Sequence, residues 1–594
     1  MGTRRAVPRA LLVPTGAAAF AWRAIAANTH WPGAATSARI RPCLRGLRRP
    51  DIFPSEPPMQ PNGLSFHHPI AFWFGCLLIV GGVFSHAPMF LMGQYTHWQM
   101  VGMPMDRWML AGMAAIPVGL AFAAYGLMPR LAQMQQALHG DARHLHFHVA
   151  DGVPLNIEHW KLVGVLVVAL AVDVMKPATL GFVMPGMSSE YQIPKPTASL
   201  LALVALTGTT VGSVVWGRVA DSFGRRAAIL LGALMFMGTA ICGAMPAFGW
   251  NLAMCFLMGA SAGGLLPITF TLMAETVPAA HRGWLLVALG GIGTSAGYLL
   301  AAGAAAMLEP MFSWRVLWLL GLPTGAIILV LYRFIPESPR FLSNAGLGDQ
   351  ARAVLRKFSG ASADAVELDD AQHPGAPKID DQHPVAGARQ LLRGRHASIT
   401  WGLLVCGLAW GLANFGFLLW LPVNLTQLGV DPKAASTLLA KSALYALPGI
   451  ALVIWLYHSW SSFKSLVVFI GFTTLSLLAF FAMGALQLRS EALTVVATAA
   501  LLISISGVIA MLIPYAAEIY PVHLRGTGSG VIAASSKFGG ILGAGLGVLG
   551  FFGHFAWSAL LIAVPMALSG VMLLRSGIET RGHGLEDIQE ALSR

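Results

Sequence analysis

The 594-residue chain is short of charge. Asp, Glu, Lys and Arg make up 11% of it, against about a quarter in an ordinary soluble domain. That shortage excludes a water-soluble enzyme of usual composition. Cysteine is scarce as well. Its five copies, at 43, 76, 242, 255 and 406, lie far apart and form no Cys-x-x-Cys pair, so neither a zinc site nor a disulfide framework is indicated. No Gly-x-x-x-x-Gly-Lys stretch occurs, which disfavours direct driving by a nucleotide. The apolar runs do not alternate, which excludes a transmembrane β-barrel. What remains is abundant: 56% hydrophobic residues, mean hydropathy +0.66 and 66 glycines. Glycine at that level suits closely packed membrane helices. The composition predicts an all-α polytopic membrane protein.

The net charge of +12 is uneven. Residues 1–58 hold nine Arg, no Lys and two acids, so most of the excess sits in one tail and does not mark a nucleic-acid surface. The tail is rich in Arg, Pro and Ala. It is read as disordered, as a targeting segment, or as untranslated with Met59 as the start.

A span needs about 20 apolar residues. Fourteen segments meet that template: two near 69–92 and 107–128, then twelve between 162 and 575. The expected organisation is a two-helix hairpin (59–130), a His-rich linker (131–160), a six-helix bundle (161–340), a linker (341–397), a second six-helix bundle (398–576) and a tail (577–594). The linker 341–397 repeats DDAQHP and DDQHP and is polar, so it is expected to be partly disordered. Lys and Arg gather in loops at 218–226, 278–283, 333–357, 388–395 and 521–526. These fall on one side if the twelve-helix core starts inside, so both termini are expected in the cytoplasm.

Two decapeptides match: AETVPAAHRG at 274–283 and AEIYPVHLRG at 517–526, 243 residues apart. Each trails an apolar run. GRVADSFGRR occupies 217–226, PESPRFL 336–342 and IETRGHGLEDI 578–588. Asp221 is positioned to accept from helix-terminal amides and to pair with Arg225 or Arg226. Together these motifs resemble the major facilitator superfamily over roughly 160–590. The loop is similar to that family's Gly-x-x-x-Asp-x-x-Gly-Arg-Arg. The two half-endings are similar to the Pro-Glu-Ser-Pro-Arg and Pro-Glu-Thr-Lys-Gly of its sugar-porter and metabolite:proton symporter branches. Here Ile578 and Arg581 depart from the second pattern, and SWSSFKS (459–465) keeps little of the loop signature. The resemblance implies two pseudo-symmetric six-helix bundles that rock around a midplane site. It implies a gate at one membrane face built from Asp221, Arg225, Arg226, Glu275, Arg282, Glu337 and Arg340 in the first half. Glu518, Arg525, Glu579 and Arg581 would complete it in the second.

Charges inside spans are costly and mark function. Asp173 and Lys176 share a face in LAVDVMKPATLGF, and their spacing predicts a pair. Lys441 and Lys537 lie within later spans. One acid against three bases suits an anionic substrate, with Asp173 as the proton-titrating group. Asn414, Trp410 and Tyr298 are further candidates, each also readable as helix packing. The glutamines with which sugar porters bind hydroxyls are missing from the corresponding helices, so a hexose is not expected. The resemblance also implies Asp-Gly-x-Asp where Asp173-Val-Met-Lys176 stands, and an Arg where Cys255 stands. Both departures bear on proton coupling.

The hairpin's outer turn (86–105) holds Met89, Met92, His97, Met100, Met103 and Met105. Thioethers and imidazoles suit Cu(I), although methionines also fill packing gaps. The reading is therefore a secondary transporter of a small organic anion, driven by protons, monomeric in the plasma membrane, with no cofactor, no nucleic acid and no enzymatic chemistry. Copper or other cation import is one alternative. A transporter-like membrane sensor is the other.

Overall fold

The computed structural model describes residues 68–127, 153–344, 348–360, 394–427, 431–488, 490–520 and 522–580. Among them are fourteen helices long and apolar enough to cross a membrane. The first two form a hairpin: α1 (Pro69–Thr96) and α2 (Arg107–Leu127). Six follow as a first half: α3 (Ile157–Glu190), α4 (Pro196–Ala220), α5 (Arg225–Ala244), α6 (Phe248–Thr276), α7 (His281–Phe312) and α8 (Val316–Phe334). Six more make the second half: α9 (Ala397–Leu425), α10 (Lys433–Ser459), α11 (Ser462–Ala485), α12 (Glu491–Ala516), α13 (Gly530–Val548) and α14 (Ala556–Ser576). The tail 1–58, most of the His-rich linker and residues 361–393 lie outside the described residues.

Local chemistry sets the helix starts. Asn156 caps α3, accepting from the backbone N–H groups of Glu158 and His159 at 3.0 and 3.1 Å. The His159 ring returns the bond by accepting from the Asn156 N–H at 3.1 Å. Asp431 caps α10 through Lys433 N at 3.0 Å, and Ser461 caps α11 through Lys464 N at 2.9 Å. Each cap satisfies amides that the helix leaves open.

Glycine governs how closely the helices approach. A Cβ at Gly208, Gly212, Gly259 or Gly263 would overlap a carbonyl of the facing helix, so α4 and α6 pack backbone to backbone. Without a hydrophobic force between helices in lipid, such contact is the main source of cohesion. The hairpin packs on itself in the same way, with Gly75 against Gly119 and Gly82 against Gly112. It then lies on α5, where Ile116 meets Gly238. In consequence 94% of the α5 window is buried, against 44% for α11, the third helix of the second half.

Two departures from regular helix lie nearest the site described below. The helix of α6 stops at Ala262 and restarts at Leu265, with Gly263 and Gly264 between. In α9 a π-helical stretch covers Leu412–Leu418, a distortion found mostly at functional sites. The linker differs from expectation in one part. Gly348–Ser359 is helical and packs on the start of α3. There Lys357 pairs with Glu158 at 3.1 Å, and Phe358 meets the His159 ring edge-on at 5.1 Å. The apolar spacing Ala351, Leu355, Phe358, all buried, explains it; composition alone hides this pattern.

Candidate functional site

Asp173 projects from α3 and is 5% exposed. Its Oδ1 makes no hydrogen bond within the protein. The carboxylate faces the backbone amide of Leu266 and lies in the field of Lys537 from α13. Leu266 is the second residue of the second segment of α6, so its amide is one of those a helix start leaves without a partner in the helix. A discontinuous helix thus aims its N-terminal dipole at the same place as an ammonium group. Asp173 belongs to the first half and Lys537 to the second. The field of Lys537 on Asp173 therefore acts across the junction of the two halves.

The expected pairing of Asp173 with Lys176 is not what forms. Three residues along α3, Lys176 turns inward to the first half's own core and is fully buried. Its Nζ donates to the Trp318 carbonyl at 3.5 Å and sits 4.4 Å from the Phe236 ring centre. Gly321 makes the space; a Cβ there would collide with the ammonium. The i,i+3 spacing permits a pair, but α5 and α8 offer the lysine the Phe236 and Trp318 rings, and α13 offers the aspartate a different cation. Aromatic faces attract a desolvated cation by roughly 2 kcal/mol.

Lys441 is also misplaced in the sequence reading. Its side chain is 52% exposed and pairs with Glu491 at 3.4 Å, at the end of the second half away from the arginine-rich turns. It lines a separate cavity there, of about 1040 Å³. Asn414 lies in the π-helical stretch of α9. Close by, Trp410 donates from Nε1 to the Ile505 carbonyl at 2.9 Å, and the hydroxyls of Ser295 and Ser506 meet at 3.2 Å between α7 and α12. The Tyr298 hydroxyl is buried without a hydrogen-bond partner.

The arginine-rich turns form one face of the molecule, here termed the basic face. Gly224 ends α4 with φ +105°, a conformation only glycine adopts at low cost. Glu337, 3% exposed, then caps α5, accepting from Arg225 N at 2.6 Å and Arg226 N at 3.2 Å. Arg225 ion-pairs with Glu275 at 3.5 Å, Arg226 lies over Tyr332 at 5.4 Å, and Arg282 donates to the Val277 carbonyl at 3.3 Å. The second half repeats the device. Glu579 accepts from Ser462 N at 3.1 Å, from Ser462 Oγ at 2.8 Å and from Ser461 Oγ, so it caps α11. The serines of SWSSFKS therefore occupy the arginine-rich turn's place. The side chains of Asp221, Arg340, Glu518 and Arg525, and all of Arg581, lie outside the described residues.

Burial raises the Glu337 carboxyl to about 7 from its ordinary 4.5; the amides of Ser338, Arg225 and Arg226 pull it the other way.

The hairpin's methionines pack together. Met89, Met100 and Met109 are buried and are covered by Phe90, Trp98, Met103 and Met105. Met92 is 57% exposed, and His97 has φ 51°. Among the described residues no group of three His, Cys, Asp or Glu could hold a metal.

An unforeseen cluster ties the hairpin down. Arg315, fully buried, pairs with Glu190 at 2.7 Å and donates to the Gly243 and Met245 carbonyls, each at 2.9 Å. Glu190 also accepts from Met100 N at 2.8 Å and Trp314 Nε1 at 2.8 Å. Both charges sit at span ends, where a sequence reading expects solvated residues.

The model of the Major Facilitator Superfamily matches residues 163–544. The chain is 26% identical to the niacin transporter NiaP of Acinetobacter baylyi, over 74% of this chain and 98% of that protein. It is 24% identical to the 4-hydroxybenzoate transporter PcaK of the same organism, over 71% and 92%. A gallate transporter of Pseudomonas putida is 26% identical, over 67% and 86%. Among solved structures, the proton:xylose symporter XylE bound to 6-bromo-6-deoxy-D-glucose superposes with TM-score 0.59 at 17% identity, covering 73% of this chain and 99% of that one.

Proposed function

The chain belongs to the Major Facilitator Superfamily, and on that premise we propose that it carries a small aromatic or heteroaromatic carboxylate across the membrane, coupled to protons. The observation that carries this reading is the buried Asp173 carboxyl, whose Oδ1 has no hydrogen-bond partner, with the Leu266 amide of its own half and the Lys537 ammonium of the other half acting on it. A substrate carboxylate competes with Asp173 for the same two partners. When Asp173 takes up a proton, Lys537 and the amide become available to the substrate. When the substrate leaves, Asp173 recovers them and releases the proton. Binding of proton and anion is thereby linked, and each shifts the equilibrium between states it prefers. The relatives named for niacin, 4-hydroxybenzoate and gallate support the substrate class. Asn414 and the unpartnered Tyr298 hydroxyl supply hydrogen bonds for ring substituents.

On this reading the arginine-rich turns face the cytoplasm, the direction positive charge favours. Glu275, Glu337 and Glu579 tie helix ends together there within each half, so that each half rocks as a unit. The plasma membrane is the proposed location, and one chain is the proposed working unit. Uptake into proteoliposomes tests the function. Nicotinate, 4-hydroxybenzoate or gallate should accumulate under an inward proton gradient, and nicotinamide, which lacks the carboxylate, should not. Accumulation of copper but of no carboxylate would overturn the assignment, as would binding without flux.

A further inference from the structure

The two halves differ at the end opposite the basic face. In the first half the hairpin's outer turn closes that end. Met100 N–H bonds to Glu190, Phe90 lies against Gly243, and the Glu190–Arg315 pair beneath is 8% and 0% exposed. In the second half the ends of α10, α11, α12 and α14 line a cavity of about 1040 Å³. Its polar part holds the Lys441–Glu491 pair, whose members are 52% and 69% exposed. Phe480, Phe481, Met483 and Trp557 form apolar walls.

Apolar side chains are exposed beside the cavity. Three and four residues beyond Lys441 on the same face of α10, Leu444 and Tyr445 are 55% and 62% exposed. On α14 the exposed row runs Trp557, Leu561, Val564 and Leu568. In a membrane protein these faces meet acyl chains. The cavity thus combines a charge pair with exposed apolar faces on its flanking helices.

We propose that this cavity holds one zwitterionic glycerophospholipid with an aminoethyl-phosphate headgroup. Its phosphate lies on Lys441, its ammonium on Glu491, and its acyl chains lie along the exposed apolar faces beside the cavity. Lys441 stands eight residues into α10, about 12 Å along it, and an extended lysine reaches from there toward the headgroup layer. Ammonium and carboxylate 3.4 Å apart complement a headgroup whose own charges are two carbons apart. Both side chains retain unused donors and acceptors. An anionic lipid would set its charge against Glu491. A transported monocarboxylate would do the same and has no acyl chain for those faces. The proposal is independent of what the central site carries.

Native mass spectrometry of the delipidated full chain tests it, with phosphatidylethanolamine and phosphatidylglycerol of matched acyl chains. The ethanolamine lipid should be held about tenfold more tightly. Lys441→Gln combined with Glu491→Gln should bring it down to the level of the glycerol lipid. Reversal of the pair, Lys441→Glu with Glu491→Lys, should restore the preference, because a zwitterion can turn round. Equal retention of both lipids by the unmodified chain would overturn the proposal. So would unchanged retention by the doubly neutral variant, or displacement of the lipid by nicotinate.

Discussion

Lys176 keeps its ammonium within 4.4 Å of the Phe236 ring and beside the Trp318 carbonyl, in space that Gly321 leaves open. The dependence is specific enough to test. Gly321→Ala should destabilise the protein by about 1–3 kcal/mol through overpacking. Lys176→Met in the same chain should recover most of that loss, because a thioether can bend away. Thermal unfolding in detergent of both single variants and the double variant would read the coupling. At the junction, Lys537→Gln should raise KM for the carboxylate at least about tenfold, with a smaller change in maximal rate, as measured by initial uptake. That Asp173 matters was legible in the sequence, because an acid inside an apolar run is conspicuous. Its partner was not, because a spacing of three residues predicts contact only when no better partner stands opposite.

The caps of α5 and α11 belong to the scale of elements. Glu337 and Glu579 each follow the last helix of their half and cap its third. The repeated Pro-Glu and Ile-Glu endings located both residues, but not which helix start each would meet. That depends on how the sixth helix folds back. Glu337 has a titration consequence. Its carboxyl is raised to about 7 in the folded protein and lies near 4.3 in an unfolded chain. The folded state therefore binds the extra proton, so its stabilisation is complete below about pH 4.3 and is lost as pH rises through about 7. Thermal stability should fall across that window, and Glu337→Gln should flatten the fall. A variant with an unchanged pH profile would show that another group titrates there.

At the scale of the whole molecule, the helix count and the six-plus-six division were readable because each span meets the bilayer's length requirement of about 20 residues. The hairpin's attachment was not readable. It depends on Glu190 and Arg315, which lie 125 residues apart in the chain and look like ordinary span ends. Glu190→Gln leaves Arg315 buried without its carboxylate, a loss of about 3–5 kcal/mol, and also weakens the bond to Met100. Lys441→Gln removes a pair of similar chemistry that is more than half exposed, worth about 0–1 kcal/mol. Unfolding midpoints of the two variants should differ accordingly. The buried pair fixes the hairpin to the first half, so the hairpin should move with that half as the two halves rock.

The junction between halves carries the proposed work, and one measurement addresses it. Proteoliposomes holding the unmodified chain or Asp173→Asn are loaded and diluted to impose a pH gradient, and uptake of a labelled aromatic carboxylate is followed. The unmodified chain should accumulate substrate above equilibrium only with the gradient. The variant should still exchange labelled for unlabelled substrate but no longer accumulate it. Full gradient-driven accumulation by Asp173→Asn would contradict the account.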